Sequence, residues 1–162
     1  MKEYALLNNN AVLMIRFTGG YDGADVDNAV LAIIKHLGVE QGHCIKTFIL
    51  DLEQVESMTL RDTDFARRDL WLRQLQAALG LTGAIHEHLS QIDFCVVEPR
   101  LDHLREIYHE RLRRVNNKRE AVTPTFIPAS AVATRLAQAG VPENEVANIF
   151  WLTLDKDVAS SL

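Results

Sequence analysis

Lys46-Thr47-Phe48-Ile49-Leu50-Asp51-Leu52, followed by residues 53–58 and then by Thr59-Leu60-Arg61-Asp62, is the stretch on which the reading of the chain turns. Positions 48–52 are apolar apart from one acid and show no polar alternation, which is the composition of a central strand covered on both faces. Asp51, near the end of that strand, falls at the carboxyl edge of the sheet, where open α/β sheets carry their sites. Thr59 with Asp62 three residues later resembles a capping box in which Asp replaces Glu or Gln. A loop over 53–58 and a helix opening at Thr59 are therefore expected, with the helix N-terminus at the same edge.

Upstream, residues 4–7 and 12–17 are β-rich runs separated by Asn8-Asn9-Asn10, a trio that tolerates the left-handed dihedrals of a tight hairpin. Gly19-Gly20 ends the second run, and Asp22 with Asp25 can cap a helix in which Val26, Ala29, Val30, Ile33 and Leu37 recur at helical spacing up to Gly38. Downstream, the longest helical pattern runs from about 60 to 79 and buries Phe65, Trp71, Leu72, Leu75 and Leu79. Arg61 and Arg68 lie on or near its apolar stripe, where each can lay its stem on the stripe and bring its guanidinium to the rim. A third buried strand is expected at 92–97. A helix over 101–115 follows, with Leu101, Leu104, Ile107, Tyr108, Leu112 and Val115 inward. The prolines bracketing 124–128 permit only a short edge strand, and 129–139 is an alanine-rich helix stopped by Gly140. The expected class is α/β: a mixed β-sheet of about five strands with an N-terminal hairpin and helices packed on it.

The 162 residues, 48% hydrophobic and 24% charged, suit one domain with a sizeable core. No apolar run approaches the roughly 20 residues of a membrane-spanning helix, and the first residues lack a signal peptide's apolar stretch, so a cytoplasmic location is expected. A net charge of −5 argues against general nucleic-acid binding. The basic run 111–119 has a structural reason to exist, since cations in the last turn of a helix offset its carbonyl end. Cys44 and Cys95 have no metal-ligand spacing and sit in or beside apolar segments, which reads as two buried thiols.

The order strand, strand, helix, Ile49-Leu50-Asp51-Leu52, loop with Val55, helix, strand, helix, short strand, helix resembles the STAS family, and within it the stand-alone bacterial members that are anti-sigma-factor-antagonist-like. The resemblance covers about residues 4–140 and implies a STAS-like α/β domain over 1–140, with 141–162 as a C-terminal extension packing on the domain or on a second subunit. It also implies a non-enzymatic protein-binding or regulatory role. In regulatory members the central strand runs into Asp-Ser-Ser-Gly, whose serine is phosphorylated by a partner kinase. This chain has Thr59-Leu60-Arg61-Asp62 at that place instead, and its nearby hydroxyls are Ser57, Thr59 and Thr63. Asp51, Ser57, Thr59, Arg61 and Asp62 are the expected partner-binding or regulatory residues. Thr59 is either a phosphosite or only an N-cap.

Two other readings compete. Some members of this fold hold apolar ligands between sheet and helices, which makes a small-molecule or lipid-binding domain the alternative. A metal-dependent hydrolase comes third, built on His86, His88, His103 and His109 with Asp102 and Glu106. Those histidines match no standard zinc signature, and His103 and His109 fall on opposite flanks of their helix, so solvated surface histidines are the better account and neither metal nor cofactor is expected. No Gly-x-Gly-x-x-Gly, Walker loop or nucleophile elbow is present. Within the extension, 145–154 suits a helix or a strand equally well. Ile149, Phe150, Trp151 and Leu152 cannot all face one side of either, so the segment self-associates through Phe150 and Trp151, giving a homodimer, or folds back over its own sheet.

Overall fold

A computed structural model describes residues 1–38, 41, 44–65, 91–116 and 124–154. Strand β1 (Lys2–Leu7) turns through Asn8-Asn9-Asn10 into β2 (Val12–Phe17), and all three asparagines take the positive φ that the hairpin needs. β3 (Gly19–Asp22) and helix α1 (Ala24–Leu37) follow, then β4 (Thr47–Asp51) and β5 (Val55–Thr59). A 3-10 turn spans Asp62–Phe65. The second half contains β6 (Asp93–Val97), α2 (Asp102–Asn116), β7 (Thr125–Ile127), α3 (Val132–Gln138), α4 (Glu143–Ala147) and β8 (Leu152–Thr153).

Six strands form one mixed sheet in the order β7, β6, β4, β2, β1, β8. β2, β4, β6 and β7 run parallel, while β1 is antiparallel to both of its neighbours. The mixed α/β class expected from the sequence is thus the observed one, with β4 buried at all five positions between β2 and β6 and the proline-bracketed strand at an edge. Side chains alternate between two cores. Leu13, Ile15, Phe48, Leu50 and Val96 face α1 and α2, with Phe48 and Phe94 stacked at 5.1 Å. Ala5, Val12, Met14, Ile49, Cys95 and Val97 face the other way, onto Leu136 and Val141.

Several expectations need correction. Residues 55–59 are a strand rather than a loop, pairing in parallel with β3 in a separate two-stranded sheet. Thr59 ends that strand opposite Asp22, so it is not the N-cap of a helix; the first helical turn begins three residues later at Asp62. The helical pattern beyond Phe65, including Arg68, Trp71, His86 and His88, lies outside the described residues. Ile107 is 44% exposed, because α2 buries Leu104, Tyr108, Leu112 and Val115 and that stripe leaves 107 on its flank. Cys44 is exposed and only Cys95 is buried. The sequence left 145–154 open between helix and strand; the structure divides it, with α4 ending at Ala147 and β8 adding to β1.

The second core is tied to the hairpin through its tip. The Asn8 backbone N–H donates to Glu145 Oε1 at 2.6 Å and its side-chain amide donates to the Ala139 carbonyl at 3.3 Å. Gly140 has a φ of +84°, and a Cβ there would stand 3.1 Å from Asn8 Nδ2, so glycine answers both the backbone and the close approach. Among the described residues, no helix is long and apolar enough to cross a membrane.

Candidate functional site

The parallel strands end together near Phe17, Asp51 and Val97, and the ladder continues past them. Leu52 N–H donates to the Val97 carbonyl at 3.1 Å, Arg100 N–H to Glu53 at 3.1 Å, and Glu98 N–H to Ile127 at 3.0 Å. The β3–β5 pair extends from this carboxyl edge as a rim, with Gly19 N–H donating to the Gln54 carbonyl at 3.3 Å. Asp51 sits at the edge, yet it is only 5% exposed. Its Oδ2 accepts from Arg16 Nε at 3.0 Å and its Oδ1 from the Glu53 N–H at 3.0 Å, so both carboxylate oxygens are taken up inside the protein.

Arg16 is the residue that sequence reasoning passed over. Its signal was available: it is the one charge in the run Val12–Phe17, on the same side of the strand as Met14 and across the parallel ladder from Asp51. Its guanidinium is covered by Trp151, whose ring centre lies 4.0 Å away. A cation over an aromatic face contributes roughly 0.5 to 2 kcal/mol, more when water is kept out. Trp151, expected at a self-association surface, therefore has an intramolecular partner, whereas its neighbour Phe150 is 77% exposed.

The remaining expected residues come together on the rim. Ser57, Thr59, Arg61 and Asp62 are all exposed. Arg61 grips Asp22 as a fork, Nη1 to Oδ1 at 2.7 Å and Nη2 to Oδ2 at 3.1 Å, while its own backbone N–H donates to Asp64 Oδ2 at 2.7 Å. Asp62 accepts from Arg111 of α2 at 3.0 Å. Charge-assisted bonds thus tie the segment after β5 to the end of β3 through Asp22 and to α2 through Arg111, and the planar fork restricts Arg61 to one orientation. Hydrogen bonding from Arg61, then from the Ala24 N–H, holds the Asp22 carboxyl below its ordinary range; the same bond raises Arg61. Gly23 makes the arrangement possible, since a Cβ there would fall 2.8 Å or less from three atoms of the Asp64 side chain.

Of the histidines named above, His103 and His109 are described. His109 Nε2 lies 2.7 Å from Glu98 Oε1, with its ring tilted against Phe126 at 4.4 Å, and His103 is exposed on α2. No group of three His, Cys, Asp or Glu side chains placed to hold a metal occurs among the described residues. Arg113 and Arg114 occupy the exposed last turn of α2, as the dipole argument expects.

No protein-family model matches the chain, and no curated protein matches it either. Among solved structures it is similar to one described as the anti-sigma factor antagonist SpoIIAA in its unphosphorylated form, with 12% identity and a TM-score of 0.44. That similarity covers 87% of this chain and 100% of the other.

Proposed function

We propose that the chain is a regulatory domain without catalytic activity that works by binding another protein through the β3–β5 rim. The observation that carries this reading is the rim itself, an exposed polar strand whose Ser57, Thr59, Arg61 and Asp62 project from a segment held in place by the Arg61–Asp22 fork and the Arg111–Asp62 pair. A surface that is already ordered loses little conformational entropy on docking, and fixed charges select among partners. Asp51 takes part as a positioning residue, since it is buried beneath the rim.

Binding, rather than a phosphate switch at Thr59, is the mode the electrostatics favour. Thr59 pairs with Asp22, and Arg61 is already engaged by Asp22, so a phosphate there would add negative charge opposite a carboxylate whose cation is taken. The test is a photo-crosslinking residue placed at Ser57 or Thr59 in the cell of origin. One discrete protein adduct that disappears with Arg61→Glu, in a chain still folded by circular dichroism, is the expected result. Absence of an adduct, or adducts indifferent to Arg61, would sink the proposal. Phosphate found on Ser57, Thr59 or Thr63 by intact-mass analysis would restore the switch.

Self-association is the second part of the proposal, and Phe150 carries it. Phe150 is 77% exposed and leads into β8, the outermost strand of the sheet, where Leu152 is 39% exposed. An apolar anchor beside a strand edge suits a twofold pairing of two copies. Light scattering on the full chain and on Phe150→Ser should show a dimer that dissociates in the variant; a wild-type monomer across a wide concentration range would end the idea.

A further inference from the structure

On the α1 side of the sheet lies a cavity of about 110 Å³, walled largely by aliphatic and aromatic carbon from β2, β4, β6 and α1, including Leu13, Val30, Phe48 and Phe94. Two tyrosines break that apolar wall. Tyr21 from β3 and Tyr108 from α2 both line the cavity, each is 5% exposed, and neither hydroxyl makes a hydrogen bond among the described residues. Their rings are fixed by edge-on packing, Tyr21 against Phe17 at 4.9 Å and Tyr108 against Phe65 at 5.2 Å. The phenols are therefore held in place by their rings while their polar ends lack a partner among the described residues. Buried hydroxyls are nearly always hydrogen-bonded in folded proteins, and an exception calls for an occupant.

The wall constrains what that occupant can be. Among the described residues Asp64 brings a carboxylate to the lining and no Lys or Arg lines it, which disfavours an anion such as a fatty-acid carboxylate. Burial pushes both phenols above their ordinary range, and the Asp64 charge adds to this, so they stay neutral and act as donors. One water occupies roughly 30 Å³, so a single water would bond the hydroxyls yet leave most of the apolar space unfilled, whereas an apolar cavity of about 150 Å³ is known to take benzene. Size and donors together describe a ring-sized molecule with an acceptor oxygen at one end.

We propose that this cavity binds one small neutral, ring-sized apolar molecule bearing a carbonyl-type acceptor, which receives hydrogen bonds from Tyr21 and Tyr108 while its hydrocarbon part fills the space beside Phe48 and Val30. Tyr21 belongs to β3, and Gly23 and Asp64 also line the cavity, so the site lies directly behind the rim. A small molecule there is read by probe titration and a protein at Ser57 or Thr59 by crosslinking, so either reading can fail alone. Cyclohexanone and methylenecyclohexane, similar in shape and differing in the acceptor, are the probes. Titrated into the full chain and followed by amide NMR, cyclohexanone should give saturable shifts centred on Val30, Phe48 and Tyr108. It should bind about ten-fold more tightly than methylenecyclohexane, the advantage expected of a hydrogen bond made in an apolar site. Tyr21→Phe and Tyr108→Phe should remain folded, unfold at the same or a higher temperature than wild type, and lose that preference. Equal affinity for the two probes, no saturable shift from either, or a lowered melting temperature in both Phe variants, which would mean the hydroxyls already had partners, overturns the proposal.

Discussion

The guanidinium of Arg16 is sandwiched between the Asp51 carboxylate, 3.0 Å from its Nε, and the Trp151 ring, 4.0 Å from its carbon. A charge on a central strand is thereby neutralised on one side and shielded on the other by a residue from the far end of the chain. Trp151→Ala should lower stability by about 1 to 3 kcal/mol through lost ring burial and lost cation–π attraction. Asp51→Asn should cost about as much, because Arg16 reaches solvent and its unpaired charge is only partly desolvated. Urea unfolding of both variants and of Arg16→Met checks this: a double-mutant cycle between Arg16 and Trp151 that gives no coupling would show the contact to be incidental.

Gly23 should resist substitution for a reason independent of backbone conformation. Its missing Cβ makes room for the Asp64 side chain, which in turn holds the Arg61 N–H. Gly23→Ala should therefore cost about 1 to 3 kcal/mol by overpacking, and thermal unfolding measures it. Pairing the change with Asp64→Gly should recover part of the loss; if the double variant is no better than Gly23→Ala alone, the steric account fails.

Asp22 makes stability depend on acid. Its folded pKa is lowered by Arg61, so its contribution is fully present above the unfolded value of about 4 and is lost as pH falls through the lower folded value. The pair is exposed and screened, so the effect should be modest and should shrink in high salt. Asp22→Asn should lower stability slightly at pH 7, and its difference from wild type should vanish as pH falls below the folded value, which leaves the variant with a flatter acid limb. An unaltered acid limb would show that the fork contributes nothing to folding.

The two cysteines should differ sharply in reactivity. Burial in β6 pushes the Cys95 thiol up to about 11, which leaves it protonated and enclosed at pH 8, while Cys44 is exposed. Iodoacetamide should add once to the native chain, at Cys44, and twice in urea. Rapid modification of native Cys95, seen by peptide mass, would contradict the buried position of β6.

Much of the architecture is local in origin and could be read directly. Residues 48–50 and 94–97 are continuous apolar runs because each strand is covered on both faces. Asn8-Asn9-Asn10 predicts its own turn because asparagine accepts positive φ. The stripes of α1 and α2 follow from the 3.6-residue period. Asp51 was legible as an edge residue for the same local reason.

What could not be read was whatever depends on a partner distant in the chain. Val55–Thr59 is a strand because Gly19–Asp22 lies beside it, and its own composition, Val55 and Met58 among Glu56, Ser57 and Thr59, carries no such signal. Thr59 followed by Asp62 offers the backbone a cap, but ladder bonds to β3 claimed the segment first. Residues 149–152 have no single apolar face; β1 pairs with Leu152 and Thr153, Arg16 takes Trp151, and Phe150 is left outside. The sequence by itself determined the strands, turns and helical stripes, since these follow from dihedral preference and periodicity. Only the tertiary structure decided the Arg16–Asp51–Trp151 stack, the pinned rim and the two tyrosines whose hydroxyls have no partner among the described residues, because each arises where separately coded elements meet and the energy belongs to the pair.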